Sequence, residues 1–260
     1  MRLPRRLGYG EEATLVEHLD ELRTRIFVSL IAIAVVFAVA FAFHEELIRF
    51  LTHPLPEDRR KLITLGVAEP FLTSFKISLM AGIAGAFPII LWQLWSFLAP
   101  AVQENLQRKV VGLVALSAGL LAAGIAFGYF IVLPKAVQFL TSYDDELYDI
   151  QIRAKDYYSF AIMVLMGVGL VFELPLVVLG LVRLGILSAS TLRRNRRLGY
   201  FIVCIVAVLL PGIDPVTTIL EIIPLLALFE GSIWASVLLE KRLRLAEERD
   251  LAEGGLAEEH

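Results

Sequence analysis

Five stretches of the chain are apolar over about the length of a bilayer crossing: 26–43, 77–99, 110–133, 160–182 and 216–239. A span needs roughly 20 apolar residues at a rise of about 1.5 Å to cross a hydrocarbon core of about 30 Å. A sixth apolar stretch, 198–210, has only 13 residues before Pro211. It reaches roughly 20 Å, so it crosses only as the hairpin partner of the last span, in a locally thinned bilayer. The pattern predicts an all-α polytopic membrane protein. A polar and amphipathic amino-terminal region occupies 1–25, six spans fill 26–239, and a charged tail over 240–260 is expected to be frayed or unstructured.

The distribution of Lys and Arg orients the spans. With both ends in the cytoplasm, the inner segments hold sixteen, in clusters such as Arg5-Arg6, Arg193-Arg194, Arg196-Arg197 and Lys241-Arg242, and the outer segments hold seven. The excess on the inner side predicts a cytoplasmic amino terminus. Removing the short fifth span would put the basic tail outside, which is why it is retained. The first outer loop opens with His44-Glu-Glu-Leu-Ile-Arg-Phe-Leu51, an amphipathic pattern suited to the membrane interface, ended by Pro54 and Pro56. The second carries Asp144, Asp145, Glu146 and Asp149, a solvated acidic surface. Pro88, Pro175 and Pro224 interrupt three spans and predict kinks.

Composition supports the membrane class and excludes others. Hydrophobic residues make up 57% of the 260, above the usual share for soluble domains. The net charge of -3 offers no basic field for nucleic acid. Cys204 is the only cysteine, so no disulfide framework or cysteine metal site is expected. The four histidines, at 18, 44, 53 and 260, lie outside the spans. No P-loop, Gly-x-Ser-x-Gly elbow or His-Glu-x-x-His pattern is present, so neither catalysis nor a cofactor is expected. No internal repeat of the kind found in many transporters is visible.

Several charged groups call for an explanation. Thr14-Leu-Val-Glu17 has the form of a capping box. After it, Leu15, Leu19, Leu22 and Ile26 form an apolar stripe opposite Glu17, Asp20 and Glu21, with Arg23 and Arg25 following. One reading is a solvated helix in which Glu21 and Arg25 form an i,i+4 pair. The other is an acidic patch at the membrane mouth that receives a cationic ligand. Glu173 lies inside the fourth span, just before Pro175, and Glu230 lies inside the last, with Glu221 nearer its outer end. A charged carboxylate at such depth costs roughly 2.5–3.5 kcal/mol on insertion scales, so each should face protein or water, or be protonated.

Taken in order, several short motifs resemble the TatC family, the large multispan subunit of the twin-arginine protein translocase. They are His18-Leu-Asp-Glu-Leu-Arg-Thr-Arg25, Pro54-Leu55, Ala68-Glu-Pro-Phe71, the run from Pro88 to Pro100, Phe172-Glu-Leu-Pro175, Asp214, Pro224 and Phe229-Glu230. The resemblance covers roughly residues 14–245 and implies six helices forming a concave, glove-like wall. It implies recognition of signal peptides bearing paired arginines, for translocation of folded cargo driven by the proton-motive force. The implied partners are TatA- and TatB-type single-span subunits, twin-arginine signal peptides and the lipid bilayer, with a homo-oligomer inside the complex. The implied location is the cytoplasmic membrane of a bacterium or archaeon.

By the same resemblance Glu21 meets the signal-peptide arginines, Arg23 orients the site, and Gln93 and Phe97 line the groove. Glu173 and Glu230 are the intramembrane polar positions that contact partners, and Asp214 marks the last outer turn. The chain departs from the family pattern in the first inner loop, where Leu106 aligns with the usual glutamate and Glu104 lies two residues earlier. On a helix that offset is a rotation of about 200°. Thr218 stands where a glutamine is common. Two rival readings remain at this level: a proton- or ion-coupled transporter that titrates Glu173 and Glu230, and a non-enzymatic assembly scaffold.

Overall fold

Long runs of Leu, Ala, Ile and Phe, without the Gly and Pro clusters that end helices, leave the backbone in lipid one economical solution. Helices satisfy every N–H and C=O internally. The computed structural model describes residues 15–98, 110–143, 145–148, 150–183, 185–210 and 214–258, and among these the helices are α1 (Leu15–Ala42), α2 (His44–Thr52), α3 (Glu69–Leu98), α4 (Val110–Phe127), α5 (Leu133–Ser142), α6 (Ala154–Val171), α7 (Leu174–Arg183), α8 (Ala189–Arg194), α9 (Arg196–Leu209) and α10 (Pro215–Glu258). Among the described residues, five segments are long and apolar enough to cross a membrane: His18–Ala42, Glu69–Phe97, Val111–Ser142, Ala154–Arg183 and Pro215–Arg242. Helix α9 has 14 residues, about 21 Å of rise. The chain divides into two compact units, after Gly169.

In the first unit, α1 packs along α3. A Cβ added to Gly82 would lie 3.0 Å from the backbone of Phe37, and one on Gly85 would lie 2.9 Å from Val36 Cγ1. Lipid is as apolar as these side chains, so transfer out of it gives little. Close backbone approach at small residues is what holds spans together. At one end of this pair, Phe37, Phe41 and Phe75 form a cluster of edge-on and stacked rings.

The third span runs past Leu133, its expected end, to Ser142. Pro134 would ordinarily clash with the carbonyl of Phe130 four residues back. The helix instead widens to a π-turn over Gly128–Val132 and then continues as α5, with Pro134 in its first turn. The same widening turns Tyr129 into the core.

Helix α2 is amphipathic, as its pattern suggested. Its apolar face meets protein: Leu51 is buried, and Leu47 and Ile48 pack against a core built from Ile77, Tyr129, Leu133, Val137, Tyr157 and Ile162. Three tyrosines hold its last turn, where a helix leaves carbonyls without internal partners. The Tyr129 hydroxyl donates to Phe50 O at 2.8 Å and that of Tyr157 to Leu51 O at 2.6 Å, while Tyr158 shares a bond of 2.8 Å with Thr52 Oγ1.

The two connecting loops of this unit are also joined. Ile63 N donates to Ile152 O at 3.0 Å and Ala154 N to Ile63 O at 2.9 Å. Glu69 accepts from Arg153 Nε at 2.9 Å and from the second guanidinium nitrogen at 3.1 Å. The carboxylate also accepts from the backbone N–H groups of Leu65 and Gly66, both at 3.1 Å. The hydrogen bond to Glu69 raises the Arg153 guanidinium above its ordinary pKa. Of the acidic loop residues, Asp145 and Glu146 are exposed, and Asp144 and Asp149 lie outside the described residues.

In the second unit, α7, α9 and α10 enclose a core of Val203, Ala207, Leu225, Phe229 and Ile233. The three prolines expected to interrupt spans differ in their effect on helix continuity. Only Pro175 coincides with a break, where the helix stops after Val171 and restarts at Leu174. Pro175 then lies in the first turn of α7, where its missing N–H has no partner to lose. Helices α3 and α10 continue through Pro88 and Pro224. The segment after residue 239, expected to be unstructured, is the continuation of α10 to Glu258. Its abundance of Leu, Ala, Glu and Arg, all strong helix formers, accounts for this.

Candidate functional site

The amino-terminal site is built where the start of α1 meets the end of α3. Leu19, Leu22 and Ile26 repeat at helical spacing, which sets Glu21 and Arg25 one turn apart on the same side of α1. The Arg25 guanidinium meets Glu21 Oε1 with Nε at 3.0 Å and a terminal nitrogen at 2.5 Å. It also reaches across to α3, donating to Ser96 O at 3.0 Å and to Gln93 through its carbonyl at 3.5 Å and its side-chain oxygen at 3.4 Å. Gln93 and Ser96 lie in the last two turns of α3 as described, toward the negative end of its dipole, which favours a guanidinium there. Both side chains are about four-fifths shielded, with 22% of Arg25 and 20% of Glu21 exposed.

Aromatic contacts complete the site. The His18 ring stacks on Phe97 with centroids 4.4 Å apart. The Arg23 guanidinium lies over the Phe27 ring at 5.8 Å, in cation–π range. Thus four residues singled out in the sequence, Glu21, Arg25, Gln93 and Phe97, converge with His18, whereas Arg23 points to a different partner. Arg25, read in the sequence only as a neighbour of Glu21, is the residue that joins the two helices. Its carbonyl acceptors on α3 are 68 and 71 positions away, beyond any local pattern. Thr14 and Glu104, together with Leu106, lie outside the described residues.

The other predicted positions fall in the second unit. Asp214 caps α10: Oδ1 accepts from Thr217 N at 2.8 Å, Oδ2 accepts from the Thr217 hydroxyl, and its carbonyl accepts from Thr218 N at 3.2 Å. With Pro215 as the first helical residue, this is a helix start of the ordinary Asp-Pro kind. Glu230 is held inside its own unit. It accepts from the Tyr200 hydroxyl and lies 3.5 Å from the Arg196 guanidinium, tying α10 to α9. A cavity of about 360 Å³ lies beside it, lined by Tyr200, Cys204, Leu226 and Ala227.

Glu173 is buried in the turn between α6 and α7, and its carbonyl accepts from Leu176 N at 2.9 Å and Val177 N at 3.1 Å. Glu221 is fully buried, and neither carboxyl oxygen has a hydrogen-bond partner among the described residues. Buried polar groups are nearly always bonded, so Glu221 is the outlier of this helix. Among the described residues no cluster of three or more His, Cys, Asp or Glu could hold a metal ion.

Comparison with known proteins bears on this arrangement. Residues 17–224 match the model of the family described as Sec-independent protein translocase protein (TatC). The chain is 38% identical to the Sec-independent protein translocase protein TatC of Carboxydothermus hydrogenoformans, over 85% of this chain and 91% of that one. It is 37% identical to the Sec-independent protein translocase protein TatCd of Bacillus subtilis, over 92% and 97%. A crystal structure described as the twin arginine translocase receptor TatC superposes with a TM-score of 0.72 at 33% identity, covering 85% of this chain and 98% of the other. The chain is therefore a multi-pass α-helical membrane protein that belongs to the TatC family of Sec-independent protein translocases.

Proposed function

We propose that this chain is the signal-peptide receptor subunit of a twin-arginine translocase, and that it acts by binding rather than by catalysis. The observation that carries the reading is the pairing of a guanidinium with Glu21 at the mouth of α1. The site already accommodates one arginine fork on a partly shielded carboxylate, backed by carbonyl acceptors on α3 and by the His18–Phe97 stack. A signal peptide with adjacent arginines presents the same chemistry twice. Guanidinium is planar, always charged and matched to carboxylates in a way that lysine is not.

In this reading Glu21 binds an incoming arginine, Gln93 and Phe97 line its approach, Arg23 steers from the exposed face of α1, and Glu104 supplies a second carboxylate from the inner loop. Six spans place both termini in the cytoplasm, with α9 as the short fifth span; the inner excess of Lys and Arg supports this. Glu173 and Glu230 meet the single spans of TatA- and TatB-type partners. Homo-oligomers assemble with them in a bacterial or archaeal cytoplasmic membrane, and the proton-motive force drives the folded cargo. The pairing of Glu230 with Arg196 and Tyr200 favours this over a transporter that titrates Glu230.

Photo-crosslinking tests the reading. A twin-arginine signal peptide carrying a photoreactive group beside its arginines is expected to label 18–25, 93–97 and the loop 101–108. Labelling confined to 143–155 would overturn it, as would accessibility labelling that puts His18–Arg25 on the outer face.

A further inference from the structure

At the amino-terminal ends of α3 and α6 lies a cavity of about 370 Å³ whose walls include Glu69, Lys76, Arg153 and Lys155. Three cations therefore face one carboxylate, and that carboxylate is already engaged by Arg153 through two hydrogen bonds. The two lysines are left over. The Lys76 ammonium donates to the Ser159 hydroxyl at 2.9 Å, and neither Lys76 nor Lys155 has an ion-pair partner among the described residues.

The position of Lys76 sharpens the question. It lies two turns inside α3, seven residues from Glu69, within a segment apolar enough to span, or about 10 Å along the helix axis. It stands at the mouth of the span read as 77–99, where a cation beside apolar surface calls for a counter-charge, and the Ser159 hydroxyl supplies none. The starts of α3 and α6 also direct the positive ends of their dipoles toward this region, which favours an anion. The remaining walls mix Thr73, Tyr158 and Ser159 with apolar groups such as Leu72 and Ile162, and Leu79 and Ile83, three and seven residues further into the span on the side of α3 that carries Lys76, are partly exposed.

We infer that this cavity binds the phosphate of an anionic phospholipid, with Lys76 and Lys155 on the phosphate oxygens and the acyl chains along the exposed face of α3. A lipid, unlike a free anion, satisfies both features at once: its phosphate answers the two ammoniums, and its chains cover apolar surface that would otherwise stay open. Basic pockets between spans are suited to headgroups for this reason. The net positive lining selects a headgroup with net negative charge over a zwitterionic one.

Native mass spectrometry of the full chain in dodecyl maltoside, titrated with phosphatidylglycerol, phosphatidylcholine or inorganic phosphate, tests the inference. Each lysine is expected to contribute about fivefold to anionic-lipid affinity. Lys76→Gln with Lys155→Gln should therefore lower phosphatidylglycerol retention by tenfold or more, with far less effect on phosphatidylcholine. Arg49→Gln, on the exposed side of α2 and paired with Glu45 and Glu46, should leave retention unchanged. Inorganic phosphate should not displace the lipid.

Equal retention of both lipids, unchanged retention in the double variant, or displacement by inorganic phosphate would each overturn the proposal, the last by showing a site for a free anion. If the double variant does not fold, the exposed single change Lys155→Gln must still show the fivefold loss, and Lys76→Arg must retain binding.

Discussion

Arg25 and Glu21 meet through a single oxygen: both guanidinium donations, at 3.0 and 2.5 Å, fall on Glu21 Oε1. No bond to Oε2 is present among the described residues, so the carboxylate retains acceptor capacity on its other side. Arg25 meanwhile is anchored at its far edge by Ser96 O. The pair is thus both a tie between α1 and α3 and a carboxylate held in a fixed orientation.

The tie is measurable. A double-mutant cycle of Glu21→Gln and Arg25→Gln, read as thermal unfolding in detergent, should give a coupling of about 0.5–1 kcal/mol. That is the low end for neighbouring groups, because both side chains keep about a fifth of their surface exposed. Additive effects would mean that the two groups do not act together.

The tyrosine latch on α2 predicts a larger loss from a smaller change. Tyr157→Phe removes one oxygen and leaves the Leu51 carbonyl buried without its 2.6 Å partner. The expected cost is about 1–3 kcal/mol, as for any buried acceptor left unpaired. Hydrogen exchange at the end of α2 should rise with it. An unchanged melting temperature would show that water replaces the hydroxyl.

Asp214 should behave as a helix cap. Asp214→Ala is expected to lose about 0.5–2 kcal/mol, and Asp214→Asn to recover most of it, since an amide oxygen still accepts from Thr217 N. A variant that keeps full stability with alanine yet loses translocation would assign the residue a role beyond the cap.

Gly199 predicts a steric effect. A Cβ there would come within 2.1 Å of Phe229 Cζ, and Phe229 is buried in the core of its unit. Gly199→Ala should destabilise by about 1–3 kcal/mol through the displaced ring. Phe229→Leu should relieve part of that in the double variant. Gly199→Ala without effect would mean that the α9–α10 contact is loose.

Much of this architecture is legible in residue order, because apolar length and helical spacing are local properties. The five long spans, the shortness of α9 and the break before Pro175 follow from them. What escapes is whatever depends on contacts between distant residues. Nothing in the run around Tyr157 announces a bond to Leu51, 106 positions earlier, and the Glu69–Arg153 pair is 84 positions apart. The amphipathic stripe of α2 shows an apolar face without saying whether lipid or protein covers it. Pro88 and Pro224 carry the same local signal as Pro175, and their neighbours decide whether the helix continues. At the candidate site, spacing sets Glu21 beside Arg25, while only the fold adds the α3 carbonyls.

The most direct measurement is equilibrium binding of a signal peptide with paired arginines, and of its paired-lysine counterpart, to the full chain and to Glu21→Gln in the same detergent. The predicted result is a preference of about tenfold or more for arginine in the unmodified chain, largely lost in the variant. Equal affinity for both peptides, or a preference that survives Glu21→Gln, would contradict the role assigned to this carboxylate.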